Sequence, residues 1–214
     1  MQKARLHLCR HGEVDVQWRT RIYGGHDVAL APAGRERFDR LAASLAELEI
    51  SAVYCSSLER ARDGARRLAE PHGLEVIVDP RLVEIDRGAW VGLTLEEIEA
   101  RWPGGVQAYL DDPNGYAEHG GETHAVLAER IFPALEDIAA RHLDQSVLVV
   151  CHGQVMRAAV ARILEIPGAR SLDLMTTYGG LTTLDRYLDG SWVVQAVNAP
   201  TLRSEPWGGR TFKP

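Results

Sequence analysis

The continuous apolar run over residues 147–151 (Val, Leu, Val, Val, Cys) is the feature that most limits how this chain can fold. A strand with one solvent-facing side alternates apolar and polar residues, whereas a strand buried on both faces of a parallel sheet is apolar throughout. His152 and Gly153 end the run, and a helical pattern follows. Because helices cover both faces of a parallel sheet, the run predicts an α/β fold.

Two other strand-like runs also end in polar residues. Residues 4–8 alternate in polarity and lead into Arg10 and His11, while residues 51–56 precede a helical pattern with Arg60 in its first turn. Open α/β sheets bind ligands at the carboxyl ends of their strands. If the three strands are neighbours in one sheet, the polar side chains at their ends converge there. These side chains are Arg10, His11, Arg60 and His152.

Strand and helix patterns alternate along the rest of the chain. One helix begins near Pro32, and the spacing of Ser56 and Glu59 predicts a capping box at the start of the next. Pro133 predicts a kink or a break in a later helix. The remaining predicted segments are helices over 95–102 and 123–141 and strands over 76–78, 180–186 and 192–197.

The composition is that of one domain with a substantial core. The 214 residues are 45% hydrophobic and 25% charged, with no shift in composition along the chain. The net charge of −6 opposes binding to nucleic acid. There is neither an apolar stretch of about 18 residues nor a secretory signal pattern. We therefore expect no nucleic-acid partner, no membrane association and a cytoplasmic location.

Three cysteines, Cys9, Cys55 and Cys151, each fall at the end of a predicted buried strand. An odd number cannot form a closed set of disulfides. Cysteine at such positions behaves as a small hydrophobic residue, so we expect all three to be buried free thiols.

Several short segments resemble one known family in order and spacing over residues 4–160. They are LCRHGE at 8–13, SSLERA at 56–61, the series Leu82, Glu84, Gly88, Trp90 and Gly92, GGET at 120–123 and VVCHG at 149–153. The family is the histidine phosphatase superfamily, in the branch that contains phosphoglycerate mutases and small phosphatases. The resemblance implies a phosphoglycerate mutase-like three-layer sandwich, with a mostly parallel sheet between helices. It further implies a single domain over residues 1–214, in which residues 85–121 form a lid or substrate-facing insertion.

The resemblance also implies a catalytic role for two residues. His11 would attack phosphorus through one ring nitrogen while the other donates to the carbonyl of Gly12. Glu84 would protonate the leaving oxygen and then activate water. Glu13 is expected to serve the loop or Arg10 rather than the reaction.

The phosphate-binding residues implied by the resemblance lie at the same strand ends. Arg10 and Arg60 would hold the non-bridging oxygens, and His152 would add a cationic hydrogen bond. The helix that begins after Gly153 would direct its amino end at the phosphoryl group. The full predicted binding set is Arg10, Gln17, Tyr23, Gly24, Arg60, His152 and Gly153.

Aromatic residues around the pocket would either contact the rest of the substrate or form a small separate core. They include Trp18 in the first loop and Trp102, Tyr109, Tyr116 and His119 in the 100–121 connection. This connection has few cations, whereas mutases of the family typically have longer chains with basic lid residues. The sequence therefore predicts a phosphatase acting on a small organic phosphomonoester, without a cofactor or a metal. A homodimer is left open.

Three alternatives to a phosphatase remain. A phosphoglycerate mutase would share every pocket residue, and a non-catalytic module that binds phosphorylated ligands would share part of them. A metallohydrolase would use His7, Cys9, His11 and His152, since His7 and Cys9 point to one face of their strand.

Overall fold

Six strands form the central sheet of the computed structural model, which describes residues 2–202. They are β1 (Lys3–Arg10), β2 (Ala52–Cys55), β3 (Val76–Val78), β4 (Ser146–Cys151), β5 (Leu181–Tyr187) and β6 (Trp192–Ala199). Their order across the sheet is β3-β2-β4-β1-β5-β6. The first four strands of this order are parallel to one another, and β5 pairs antiparallel with both β1 and β6, so β5 alone runs in the opposite direction. The predicted mostly parallel sheet is confirmed.

Helices cover both faces of this sheet. In chain order they are α1 (Pro32–Leu45), α2 (Glu59–Ala69), α3 (Leu95–Arg101), α4 (Gly105–Asp111), α5 (His124–Arg141), α6 (Gly153–Ile163) and α7 (Gly168–Ser171). Apolar residues of α1 and α2 pack with Leu148 and Val150 on one face. Those of α5 and α6 pack with Val147 and Val149 on the other. The three-layer α/β sandwich is therefore confirmed.

The position of β4 explains its apolar sequence. It lies between β2 and β1, and residues 147–150 are fully buried because successive side chains enter opposite helical layers. The register pairs Cys151 with Arg10 and Val150 with Cys55. The three strands that end in polar residues are thus neighbours, and their carboxyl ends lie side by side.

The predicted capping box at the start of α2 is wrong. The helix begins at Glu59, and the Ser56 hydroxyl instead accepts a hydrogen bond from the N–H of Leu58 (3.2 Å). The N–H of Glu59 donates to Oδ1 of Asp27 (2.8 Å), so a residue far away in the sequence satisfies the free donor.

Of the kink or break predicted at Pro133, the break is absent, because α5 runs continuously through this residue. The hydrogen bond that proline cannot make is offset by the buried apolar face of the helix, which includes Ile131, Leu135 and Ile138. Among helices within residues 2–202, none combines the length and apolar character needed to cross a bilayer. All three cysteines are buried free thiols, as predicted.

The segment between β3 and α5 contains α3, α4 and a small core of its own. Trp90, Ile98, Tyr109 and Tyr116 are buried together there, and the ring of His119 lies 4.9 Å from that of Trp90. Tyr109, Tyr116 and His119 therefore belong to a separate core, one of the two arrangements expected for them. A lid role for residues 85–121 stays a prediction, and the predicted domain extends beyond the described residues at both ends.

Candidate active site

His11 lies directly after β1, where its buried ring has a defined proton position. Its backbone N–H donates to the carbonyl of Cys151 (3.0 Å), and its Nδ1 lies 2.7 Å from the carbonyl oxygen of Gly12. A carbonyl only accepts, so Nδ1 carries the proton and Nε2 retains its lone pair. Burial, then the nearby charges of Arg60 and Arg10, hold the pKa of His11 well below its usual range. The ring is therefore neutral.

The loop after His11 is fixed by close backbone packing against the start of α1. A Cβ atom at Gly12 would lie 2.6 Å from the carbonyl oxygen of Gly34, so only glycine fits. Next to it, the carboxylate of Glu13 forms a two-nitrogen ion pair with Arg37. Glu13 thus serves the loop, as expected, but through Arg37 rather than Arg10.

Arg60 projects from the first turn of α2 and is completely buried. Its Nη1 donates to the carbonyl of His26 (2.8 Å) and its Nη2 to that of Gly24 (2.7 Å). The guanidinium carbon lies 5.0 Å from the centre of the Tyr23 ring. These contacts fix the plane of the guanidinium, while its buried Nε has no partner among the described residues.

Arg10 is oriented by the segment that precedes β5. Its Nη1 donates to the carbonyl of Thr176, and its guanidinium carbon lies 4.2 Å from the centre of the Tyr178 ring. A Cβ atom at Gly153 would lie 3.4 Å from Nε of Arg10, so the small residue brings the start of α6 close to this cation. The buried Nε has no partner within residues 2–202.

His152 caps the start of α6 and is completely buried, with its ring centre 5.2 Å from that of His11. Burial, Arg60 and His11 hold its pKa well below the usual range. The ring is therefore neutral, so the predicted cationic hydrogen bond would require the added negative charge of a phosphate. Neither ring nitrogen has a partner in the described part of the chain.

Glu84 contacts the amino terminus of α6. Its Oε1 accepts a hydrogen bond from the N–H of Ile85 (3.0 Å), and its Oε2 accepts one from the N–H of Gln154 (3.2 Å). The carboxylate is buried, and its charge acts on both Arg60 and Arg157. Two backbone groups therefore hold one carboxylate beside the cations of the site.

The unpartnered donors define what this site can bind. Buried polar groups are almost always hydrogen-bonded, because an unpaired buried donor costs about 1–3 kcal/mol. Here the Nε atoms of Arg10 and Arg60 and the ring nitrogens of His152 all lack partners among residues 2–202. The two guanidinium Nε–H groups and the single N–H of the neutral His152 ring are free donors near the neutral imidazole of His11, and such a group is suited to an anion with several oxygen atoms.

One predicted binding residue lies apart from this group. Gln17 is exposed, and its backbone N–H is held by the carboxylate of Asp15 (3.1 Å) in a short turn. Tyr23 is closer, with its ring centre 6.3 Å from that of His11.

Four residues at or near the site were not predicted as binding residues. Thr176 and Tyr178 lie just before β5, in a segment with only a weak sequence pattern. Nothing in their local sequence marks them as partners of Arg10. Arg87 and Arg157 resemble ordinary surface arginines in the sequence, although they follow Glu84 by three residues and Gly153 by four.

The metal site considered as an alternative does not form among the described residues. Nδ1 of His7 lies 3.0 Å from the hydroxyl of Thr183, and Cys9 is buried in the apolar layer. Within residues 2–202, no three histidine, cysteine or acidic side chains are grouped closely enough to hold a metal ion.

Comparison with known proteins gives consistent results. The phosphoserine phosphatase 1 of Hydrogenobacter thermophilus is 33% identical over 162 residues, which cover 76% of this chain and 77% of that protein. The glucosyl-3-phosphoglycerate phosphatase of Mycolicibacterium vanbaalenii is 32% identical, over 90% of this chain and 84% of that protein. A solved mycobacterial glucosyl-3-phosphoglycerate phosphatase, in complex with VO3, superimposes with a TM-score of 0.82 at 32% identity, covering 91% of this chain and 99% of that one.

These named relatives are phosphatases, which confirms the predicted enzyme class. The family model for the histidine phosphatase superfamily (branch 1) matches residues 6–200. The chain therefore belongs to the histidine phosphatase superfamily.

Proposed function

We propose that this protein hydrolyses phosphomonoesters of small organic molecules through a phosphohistidine formed on His11. The observation that carries the proposal is the hydrogen bond between Nδ1 of His11 and the carbonyl of Gly12. It leaves Nε2 as an unprotonated nucleophile, and the low pKa of the ring keeps that lone pair free at neutral pH. No metal and no cofactor enters this reaction.

In the first step, Nε2 of His11 forms a bond to phosphorus and the bond between phosphorus and the ester oxygen breaks. Arg10, Arg60 and His152 stabilise the charge on the non-bridging oxygens, using donors that have no partner among residues 2–202. The leaving alkoxide takes a proton from Glu84, whose side chain is held at the amino end of α6.

In the second step, a water molecule attacks the phosphohistidine. Glu84, now ionised, accepts a proton from this water as the new bond to phosphorus forms. The bond between phosphorus and Nε2 breaks, and inorganic phosphate leaves. Each step returns Glu84 and His11 to the state that the other step needs, so the cycle consumes only the ester and water.

The proposal is tested by trapping the intermediate. Rapid quenching with a ³²P-labelled monoester should leave about one phosphate per chain, stable to base and labile to acid, as expected for a bond to nitrogen. Peptide mapping should place the label on the segment that contains His11, and His11→Ala should abolish both the label and turnover. His72→Ala serves as the control, since His72 lies beyond the far end of α2, roughly 15–20 Å from the helix start.

Two results would contradict the proposal. One is a label that maps to His152 instead of His11. The other is full turnover in His11→Ala.

A further inference from the structure

The two arginines of the phosphate site are held in place without a carboxylate. Other arginines in the described part of the chain, such as Arg5, Arg37 and Arg130, bind the oxygens of Asp or Glu side chains. Among residues 2–202, no Asp or Glu oxygen lies within 4.0 Å of Arg10 or Arg60. A carboxylate at that distance would neutralise the guanidinium and compete with a phosphate. Neutral groups must therefore orient these two side chains.

Arg10 is held by the segment just before β5. Its Nη1 donates to the carbonyl of Thr176, and the ring of Tyr178 stacks on its guanidinium at 4.2 Å. The backbone of the same segment is bonded to the backbone of Arg10. The N–H of Gly179 donates to the carbonyl of Arg10 (2.9 Å), and the N–H of Arg10 donates to the carbonyl of Gly180 (3.1 Å). The Tyr178 ring is thus fixed next to the guanidinium that it covers.

Arg60 is held in the same way by a turn of the first loop. Its two Nη atoms donate to the carbonyls of His26 (2.8 Å) and Gly24 (2.7 Å). The ring of Tyr23 lies 5.0 Å from the guanidinium carbon. The N–H of His26 donates to the carbonyl of Tyr23 (2.7 Å), which closes the turn. Each arginine is therefore bonded by carbonyls, and stacked by a tyrosine, from one short segment.

The two tyrosines meet beside His11. Their hydroxyl oxygens are 3.5 Å apart, although the residues are 155 positions apart in the sequence. The ring centre of His11 lies 6.3 Å from that of Tyr23 and 5.6 Å from that of Tyr178. Burial, followed by the proximity of Tyr178, raises the pKa of Tyr23, so this hydroxyl keeps its proton at neutral pH. The contact therefore joins the two segments without placing an anion beside the phosphate site.

We propose that Tyr23 and Tyr178 are positioning residues that stack on Arg60 and Arg10 and, through their joined hydroxyls, hold the two guanidinium groups in one fixed relative orientation. The inference rests on the proposed phosphatase function, and it assigns both tyrosines a role through the arginines rather than through the leaving group. Stacking on an aromatic face orients a guanidinium and leaves its N–H groups free for a ligand. Orientation matters most when charge develops on the phosphoryl oxygens, so its loss should lower kcat more than it raises KM.

The first test removes the ring or only the hydroxyl of Tyr178. Tyr178→Leu abolishes the stacking on Arg10 and should lower kcat by roughly 10-fold, within the range of a partly buried cation–π contact. Tyr178→Phe keeps the ring and should recover most of that loss, to within roughly 3-fold of the wild type, the effect of one hydrogen bond between neutral groups. Equal losses in the two variants would show that the stacking does not contribute.

Two esters distinguish positioning of the arginines from contact with the leaving group. Release of inorganic phosphate is measured from phenyl phosphate and from propyl phosphate, which share only the phosphoryl group. A residue that acts through Arg10 should lower kcat by the same factor for both esters. A loss confined to phenyl phosphate would mean that Tyr178 stacks on the leaving group, and it would overturn the proposal.

A double-mutant cycle tests whether Tyr178 acts through Arg10. The variants are Tyr178→Leu, Arg10→Ala and the two combined. Their slow reactions are followed in single turnovers with excess enzyme and ³²P-labelled phenyl phosphate. If the ring only positions the guanidinium, Tyr178→Leu should cause no further loss once Arg10 is absent. Multiplying losses would contradict the proposal.

The hydroxyl contact is tested by a second cycle. Tyr23→Phe and Tyr178→Phe each break the same contact, so the double Phe variant should be no slower than either single variant. Losses that multiply in the double variant would show that the two hydroxyls act separately.

The matched control is Tyr187→Leu. Tyr187 is also a buried tyrosine in a cation–π contact, with its ring centre 5.7 Å from Nζ of Lys3, but it lies at the far end of β5. Its replacement should lower the free energy of unfolding and leave kcat and KM at wild-type values. If the wild type releases phosphate from neither ester, the proposed function fails and the inference fails with it. If the wild type is active and Tyr178→Leu behaves like Tyr187→Leu, the inference alone fails.

Discussion

Glu84 accepts a hydrogen bond from the backbone N–H of Gln154, at 3.2 Å from Oε2. This contact joins the carboxylate to the first turn of α6, the helix that His152 caps. The group proposed to move the proton and a group proposed to hold the phosphoryl oxygens are thus fixed to one rigid element. The position of these two groups relative to each other affects the reaction rate, since a displacement of about 1 Å can cost 10²-fold in rate.

Replacing Glu84 with Gln should separate proton transfer from phosphate binding. The amide keeps the size of the side chain but has no proton to transfer, so turnover of alkyl esters should fall by ~10²-fold or more. Aryl esters have better leaving groups and should lose much less. The measurement is kcat for a series of esters with leaving groups of differing basicity, with Glu96→Gln, an exposed glutamate on α3, as the control. An equal loss across the series would remove Glu84 from the acid role.

The sequence predicted the centre of the site because each of its parts has a local signal. His11, Arg60 and His152 each follow an apolar run, and neighbouring parallel strands bring such strand ends together. The structure adds a property that the local sequence does not show, which is the burial of these side chains beside arginines that have no carboxylate partner within residues 2–202. Burial of a polar side chain depends on distant segments and cannot be read from its neighbours in sequence.

Arg87 and Arg157 show where sequence reasoning stops. An arginine is usually a solvated surface residue, and what distinguishes these two is that they are shielded from solvent without a carboxylate partner among residues 2–202. The capping box predicted for Ser56 and Glu59 is wrong for the same reason, because the actual partner is distant in the sequence. Asp27, from a loop 32 residues away, supplies the acceptor for Glu59 that Ser56 was expected to provide locally.

Arg60→Ala should cost far more than a change at a neighbouring surface arginine. Removing a buried donor to the transferring phosphoryl group should raise the barrier by roughly 3 kcal/mol or more, which is ~10²-fold in kcat/KM. Arg66→Ala is the matched control on α2, because Arg66 is exposed and forms only a surface ion pair with Glu59. Weak labelling of His11 should persist in Arg60→Ala. Similar rates in the two variants would argue against a phosphate-binding role for Arg60.

Hydrolysis should exceed mutase activity on phosphoglycerates. The 100–121 connection supplies only Arg101 and the buried His119 as potential cations, and the pKa of His119 is lowered by burial and by Arg87. This connection therefore offers few positive charges to hold a released phosphoglycerate until the phosphohistidine transfers its phosphoryl group back to it. Phosphate release from 3-phosphoglycerate should therefore be faster than its conversion to 2-phosphoglycerate, followed by ³¹P NMR with the bisphosphate present. Faster interconversion would favour the mutase alternative.

The last prediction concerns stability, away from the site. The buried carboxylate of Asp185 on β5 binds Arg5 (2.7 Å) and Lys3 (2.6 Å) on β1. Burial alone would raise the pKa of Asp185, but the hydrogen bonds from Arg5 and Lys3 outweigh it and the pKa is lowered. Because the folded-state pKa lies below the unfolded value of about 3.9, the ionised carboxylate stabilises the fold above about pH 4. This stabilisation is lost as the pH falls through the folded-state pKa.

Asp185→Asn should therefore lower the free energy of unfolding by about 2 kcal/mol or more at pH 7, and the gap from the wild type should close below pH 4. Urea unfolding at several pH values measures both effects, with Asp173→Asn, in an exposed pair with Arg170, costing at most about 1 kcal/mol. A gap that stayed constant down to pH 2 would mean that the loss comes from altered packing rather than from the charge.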